Sequence, residues 1–185
     1  MSDDLRELVR QSIDGDQSAM QAIVARYEGQ VFGLCYRMLG HRQDAEDAAQ
    51  ETFVRVLKSL HRWDAARDFE PWLLAIAGNR CRTALSTRQR KPAPQTLVTE
   101  VPETHGENGD ADCLAEEIHL ALQNVKPQYR QAFILFQEQE LSYQEIADAM
   151  SCPIGTIKTW VHRVRKELVQ RLRRREVIQD KSYAM

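Results

Sequence analysis

Apolar residues recur along this chain at steps of three and four, and no long alternating run interrupts them, so the pattern predicts helices throughout. Leu5, Leu8, Val9 and Ile13 form one side of a first short helix within Asp3 to Ile13. Asp14-Gly15-Asp16 reads as a turn, with Asp16 placed to cap the next helix. Met20, Ile23, Val24 and Tyr27 continue as one stripe, and Val31, Leu34, Cys35, Met38 and Leu39 as another, closed by Gly40 as a helix-ending residue. Between His41 and Trp63 the buried side is Phe53, Val56, Leu57 and Leu60, with Asp44 expected as the cap. A loop from Trp63 to Phe69 leads to Pro71 in a first helical turn, then Trp72, Leu73, Ile76 and Ala77.

The period is lost between Lys91 and Asp112, where Pro92, Pro94, Pro102, Gly106 and Gly109 predict an extended linker. It returns at Cys113 to Asn124 with Leu114, Ile118, Ala121 and Leu122, and at Pro127 to Gln139 with Tyr129, Ala132, Phe133, Leu135 and Phe136 inside. Ser142 and Glu145 then have capping-box spacing and start a helix near Tyr143 with Ile146, Ala147 and Met150 inward. Ser151-Cys152-Pro153 ends it, because proline disfavours helix in the residue before it. A last helix carries Ile157, Val161, Val164, Leu168 and Leu172 as one stripe, with Thr159, His162, Arg163 and Lys166 opposite and Lys158 and Arg165 on the flank.

Only 8 Gly and 6 Pro in 185 residues, with 43% hydrophobic residues, agree with an all-α protein. The expected organisation is two small helical domains, 1–91 and 113–175, joined by a flexible acidic linker at 92–112 and followed by a tail at 176–185. The second is a four-helix domain ending in a helix-turn-helix.

Charge changes the picture once it is divided along the chain. The net charge of −2 hides a last helix, Pro153 to Arg175, with eight cations and one acid, and a segment from Pro92 to Glu117 with seven acids and no lysine or arginine. A buried stripe backed by a basic face, held across a tight turn by a capped helix, suits a DNA major groove. The helix opened by Pro71 also ends basic, at Arg80, Arg82, Arg88, Arg90 and Lys91. With the aromatic loop before it, that helix could hold single-stranded nucleic acid by stacking and phosphate contact. Trp72 is expected in the core, Trp63 and Phe69 more open. By composition alone, Asp44, Asp47, Gln50 and Glu51 are cap and solvated face at a helix start.

No segment approaches the roughly 20 apolar residues that span a bilayer, so a cytoplasmic protein without direct membrane insertion is expected. Cys35, Cys81, Cys113 and Cys152 lack metal-site spacing, Cys35 reads as core, and neither metal nor cofactor is expected. An enzyme acting on nucleic acid lacks support: no carboxylate pair with a metal-ligand companion and no glycine-rich phosphate loop is present, and the five histidines are scattered.

Three segments in this order, DAEDAAQETF at Asp44 to Phe53, FEPWLLAIAGNRCR at Phe69 to Arg82 and LSYQEIADAMSCPIGTIKTWVHRVRKEL at Leu141 to Leu168, resemble bacterial RNA polymerase sigma factors of the extracytoplasmic-function class. The resemblance covers nearly the whole chain. It implies a promoter-specificity subunit, not a catalyst. Its partners would be core RNA polymerase (β′ clamp helices and β flap), promoter DNA and an anti-sigma factor. By position, Asp44, Asp47, Gln50, Glu51 and Phe53 would bind polymerase. Trp63, Phe69, Asn79, Arg80, Arg82, Arg88 and Arg90 would melt and read the −10 element, one base being captured in a loop pocket. Thr156, Lys158, Thr159, His162, Arg163, Arg165 and Lys166 would read the −35 element. The acidic linker would pass through polymerase toward the RNA exit channel. The chain departs from the family pattern at Trp160, where a basic residue is usual and packing is expected, and at Ala48 and Ala49, which replace bulkier residues. The adjacent tryptophan pair of housekeeping sigma factors is absent, as is usual for this class. The alternative is a free-standing helix-turn-helix repressor or activator.

Overall fold

The computed structural model describes residues 3–90 and 109–174, and those residues form eight α-helices and one 3-10 turn. The N-terminal half comprises α1 (Asp3–Ile13), α2 (Gln17–Leu39), α3 (Arg42–Ser59), the 3-10 turn Leu60–Arg62 and α4 (Phe69–Arg90). The C-terminal half comprises α5 (Gly109–Gln123), α6 (Pro127–Gln137), α7 (Tyr143–Met150) and α8 (Ile154–Arg174). In the first half α2 packs on α1, α3 and α4, and α3 packs on α4; in the second, α8 packs on α5, α6 and α7.

Local chemistry sets several boundaries as expected. Asp16 Oδ1 accepts from the Ser18 and Ala19 amides at 2.7 and 3.3 Å, and Gly40 ends α2 at φ 73°. Ser142 Oγ accepts from the Glu145 amide at 3.2 Å while Glu145 Oε2 accepts from the Ser142 amide at 2.8 Å, which completes the capping box. Ser151 closes α7 in the left-handed region at φ 52°, a conformation most side chains avoid, and the following Pro153 prevents continuation.

Three expectations need correction. His41, without a side-chain hydrogen bond, is the N-cap of α3; Asp44 lies inside the first helical turn, where its charge favours the helix dipole. Ile13 is 51% exposed, and Ser12 takes the buried place by donating to the Leu8 carbonyl at 2.8 Å. Helix α5 starts at Gly109, so the last four residues assigned to the linker are helical; Asp110 and Asp112 supply the acids that a helix start favours. The remainder of the linker and the tail lie outside the described residues.

The two halves share one core, because α2 meets α5 and α6 while α4 meets α6 and α7. The seam is polar as well as apolar. Arg130 on α6, 3% exposed, donates to the Met38 carbonyl across the seam, and to Gln123 Oε1, the Gln123 carbonyl and the Val125 carbonyl at 2.6, 2.7 and 3.2 Å. Gln123 Nε2 donates to the Arg37 carbonyl at 3.0 Å, and Arg37 pairs with Glu138 at 3.3 Å. His119 stacks on Tyr36 at 5.0 Å. Gly78 on α4 lies so close to the Gln131 amide that a Cβ there would overlap it.

Two outcomes follow from this seam. Gly78→Ala, a favourable change for an isolated helix by about 1 kcal/mol, should instead part the halves, read as a larger radius of gyration by small-angle scattering. An unchanged radius would refute the close fit. Burial, with Arg37 and Arg130 nearby, lowers the His119 pKa from 6.5 to about 4. The docked state therefore holds His119 neutral, and docking should weaken as pH falls from 6.5 toward 4. His119→Phe should flatten that pH dependence in the same scattering measurement.

Candidate polymerase and nucleic-acid interfaces

Three surfaces carry the residues singled out by sequence. The first is the outer face of α3. Asp47, Gln50 and Glu51 are exposed there, and Val54, one turn on, is 51% exposed on the same face. Sequence reasoning missed Val54, although its spacing from Asp47 and Glu51 carries the signal. Phe53 points the other way, 8% exposed within the core, so it supports α3 and is closed to a partner. Asp44 and Glu51 are both engaged with α4. Asp44 Oδ2 lies 3.4 Å from Arg88 Nη1, and Glu51 binds Arg80 with contacts of 2.5 and 2.8 Å.

The second surface is a cavity of about 650 Å³ beside the Trp63–Phe69 loop. Trp63, Asp64, Arg67, Trp72 and Asn79 line it. Glu145 and Asp148 face it from α7 and Ser151 from the C-cap, so the C-terminal half walls this cavity. Trp63 and Trp72 are half-buried, and the Trp63 indole N–H is buried without a hydrogen-bond partner among the described residues. Phe69, expected to be open, is 1% exposed at the centre of an aromatic cluster with Tyr27, Trp63 and Trp72 at 5.3 to 5.5 Å. It holds the two tryptophans in place and cannot itself stack on a base. Trp72, expected in the core, packs against it half-buried and, with Trp63, lines the cavity. Asn79 is exposed, and its Oδ1 accepts from the Arg82 guanidinium. The Arg90 side chain lies outside the described residues.

The third surface is α8. Ile157, Val161, Val164, Leu168 and Leu172 are buried, as the stripe predicts. Thr159, His162, Arg163 and Lys166 are exposed opposite it, Lys158 and Arg165 are exposed at its flank, and Thr156 is half-buried. Three of these cations rest over rings from the supporting helices: Lys158 over Tyr143, Arg163 over Tyr129 and Arg165 over Phe136, each at 5.7 to 5.9 Å. Trp160 packs on Tyr129 at 5.1 Å, as expected for its place beside the stripe.

An exposed basic helix in a capped helix-turn-helix, joined in one chain to a tryptophan-lined cavity beside cations, has the shape and charge that suit nucleic acid. Comparison with known proteins agrees. The Sigma-70 region 2 family matches residues 23–91, and the Sigma-70, region 4 family matches residues 115–168. The ECF RNA polymerase sigma factor SigW of Bacillus subtilis is 35% identical over 184 residues, 91% of this chain and 97% of the relative. The RNA polymerase sigma-H factor of Pseudomonas aeruginosa is 30% identical over 88% of this chain and 91% of its own length. The chain belongs to the sigma-70 family, in its extracytoplasmic-function class. The solved sigma factor RpoE of Bartonella quintana, in complex with the anti-sigma factor NepR, shares the fold with a TM-score of 0.69 at 22% identity, covering 83% of this chain and 96% of its own. No helix among the described residues is long and apolar enough to cross a membrane.

The placement of Phe69 yields a test. Phe69→Ala should cost about 3–5 kcal/mol of stability, as for other buried aromatics, measured by urea unfolding. Trp72→Ala, at a half-buried cavity wall, should cost clearly less. Equal losses would refute the division between a supporting ring and a lining ring.

Proposed function

We infer that the chain is a sigma factor: it binds core RNA polymerase and directs initiation at promoters by recognising −10 and −35 elements. The observation that carries this reading is the pairing, in one chain, of a region 2 and a region 4 that each expose a DNA-compatible surface. A free-standing repressor would need the helix-turn-helix but neither the acidic α3 face nor the tryptophan-lined cavity.

In this reading residues 1–91 hold polymerase and the −10 element, and residues 113–175 read the −35 element. Asp47, Gln50, Glu51 and Val54 meet the polymerase clamp. Trp63, Trp72 and Asn79 receive an unstacked base in the cavity, where stacking supplies affinity without demanding a particular sequence. Arg80, Arg82 and Arg88 neutralise backbone phosphates. On α8, Thr159, His162, Arg163 and Lys166 face base edges, while Lys158 and Arg165 grip the flanking backbone. The chain supplies specificity, and the chemistry of RNA synthesis belongs to the core enzyme. It works in the cytoplasm, held in check by an anti-sigma factor, in keeping with the complex in which the fold-related RpoE was solved.

Asp47→Arg places a cation on the exposed face of α3 without touching the core. The variant should stay folded by circular dichroism and fail to co-elute with core polymerase. Normal co-elution would remove the polymerase contact from α3.

A further inference from the structure

The cavity beside the Trp63–Phe69 loop is walled on one side by α7, and the side chains that α7 brings to it are acidic. Asp64, Asp68, Glu145 and Asp148 line the cavity against two guanidiniums, Arg62 and Arg67. Arg67 is already engaged, 3.6 Å from Asp64. Glu145 and Asp148 share one face of α7 by their spacing. Their hydrogen-bond donors are neutral: the Ser142 amide at 2.8 Å and the Gln144 side-chain amide at 3.0 Å. No salt bridge among the described residues engages either carboxylate. Two negative charges thus line the same cavity as Trp63 and Trp72 without a cation of the chain's own. The faces of aromatic rings carry negative potential and attract cations in turn. The volume of about 650 Å³ is that of a small-molecule site. A metal ion would need a cluster of oxygen ligands, and no group of three potential ligands among the described residues could hold one.

We propose that the docked chain binds a small quaternary ammonium compound in this cavity, between the tryptophan rings and the α7 carboxylates. Such a cation has no N–H to satisfy and is weakly hydrated, so an aromatic surface suits it; a primary ammonium gives up strong hydration there. Glu145 and Asp148, already hydrogen-bonded within the chain, contribute charge more than hydrogen bonds. The ligand touches both halves, so it favours their docking by mass action. Resting on the function inferred above, the same rings then have two uses. A held cation keeps α7 over Trp63 and Trp72 and shuts out an unstacked base. The cation site itself does not depend on that reading.

The test uses the full chain carrying Trp160→Phe, which leaves Trp63 and Trp72 as its two tryptophans. Choline chloride is titrated at constant ionic strength and followed by tryptophan fluorescence. Choline should give a saturable change, and its uncharged isostere 3,3-dimethyl-1-butanol should bind about ten-fold more weakly. Glu145→Gln with Asp148→Asn keeps a capping-box side chain and removes both charges. That variant, folded by circular dichroism, should bind choline about five-fold more weakly. No saturable change, equal binding of the alcohol, or full affinity in the carboxylate variant would each overturn the site. Oligo(dT) should quench the same two tryptophans by stacking, and less so when choline saturates the cavity. Choline that binds without reducing that quenching would overturn the exclusion of a base. Oligo(dT) that never quenches them would refute the inferred use of the rings and leave the cation site standing.

Discussion

A guanidinium with no carboxylate partner sits where the two halves of the chain meet. Arg130 is buried among backbone carbonyls and one amide oxygen, and that burial lowers its pKa to about 10, which leaves it charged at neutral pH. An unpaired buried charge is costly unless its donors are satisfied. Here four hydrogen bonds satisfy most of them, three within the α5–α6 corner and one across the seam to Met38. The same side chain thus fixes the corner that orients α6 and ties that corner to α2. The α7 wall over the tryptophan cavity follows from this placement, because α6 and α7 meet α4 together.

The docked seam is well fitted but not fully satisfied. Both ring nitrogens of His119, both amide atoms of Gln131 and the Arg130 Nε are buried with no hydrogen-bond partner among the described residues. Each such group costs roughly 1–3 kcal/mol relative to a hydrated one. Apolar burial and the Arg130 bonds oppose that cost. The balance differs from the interior of either half, where the large side chains are apolar and need no partners.

What could be read from the sequence was what short-range chemistry decides. The Ser142 and Glu145 box, the Asp16 cap, the Gly40 terminus and the α8 stripe each depend on residues within a turn or two, and each stands as the spacing predicted. The errors arise where tertiary packing decides. Phe69 lies in an open-looking loop region, and nothing local shows that it closes on Tyr27, forty-two residues away. Arg130 and Gln131 stand outside the apolar positions of their helix, and the packing of that helix against α2 and α4 buries them. The α5 start was legible in principle, since Gly109-Asp110-Ala111-Asp112 offers the acids that a helix start prefers, but the surrounding acidic run masked it. Val54 was legible too, as an apolar residue one turn beyond two acids on an exposed face.

The docking of the halves also sets a length that can be compared with a promoter. Positions −10 and −35 lie about 25 base pairs apart, or roughly 85 Å along a duplex. A compact chain of 185 residues has a radius of gyration of only about 16 Å. The two reading surfaces, clasped through Arg130, therefore fall far short of both elements at once. In the inferred function, reading both elements at once therefore requires the clasp at Arg130 to open.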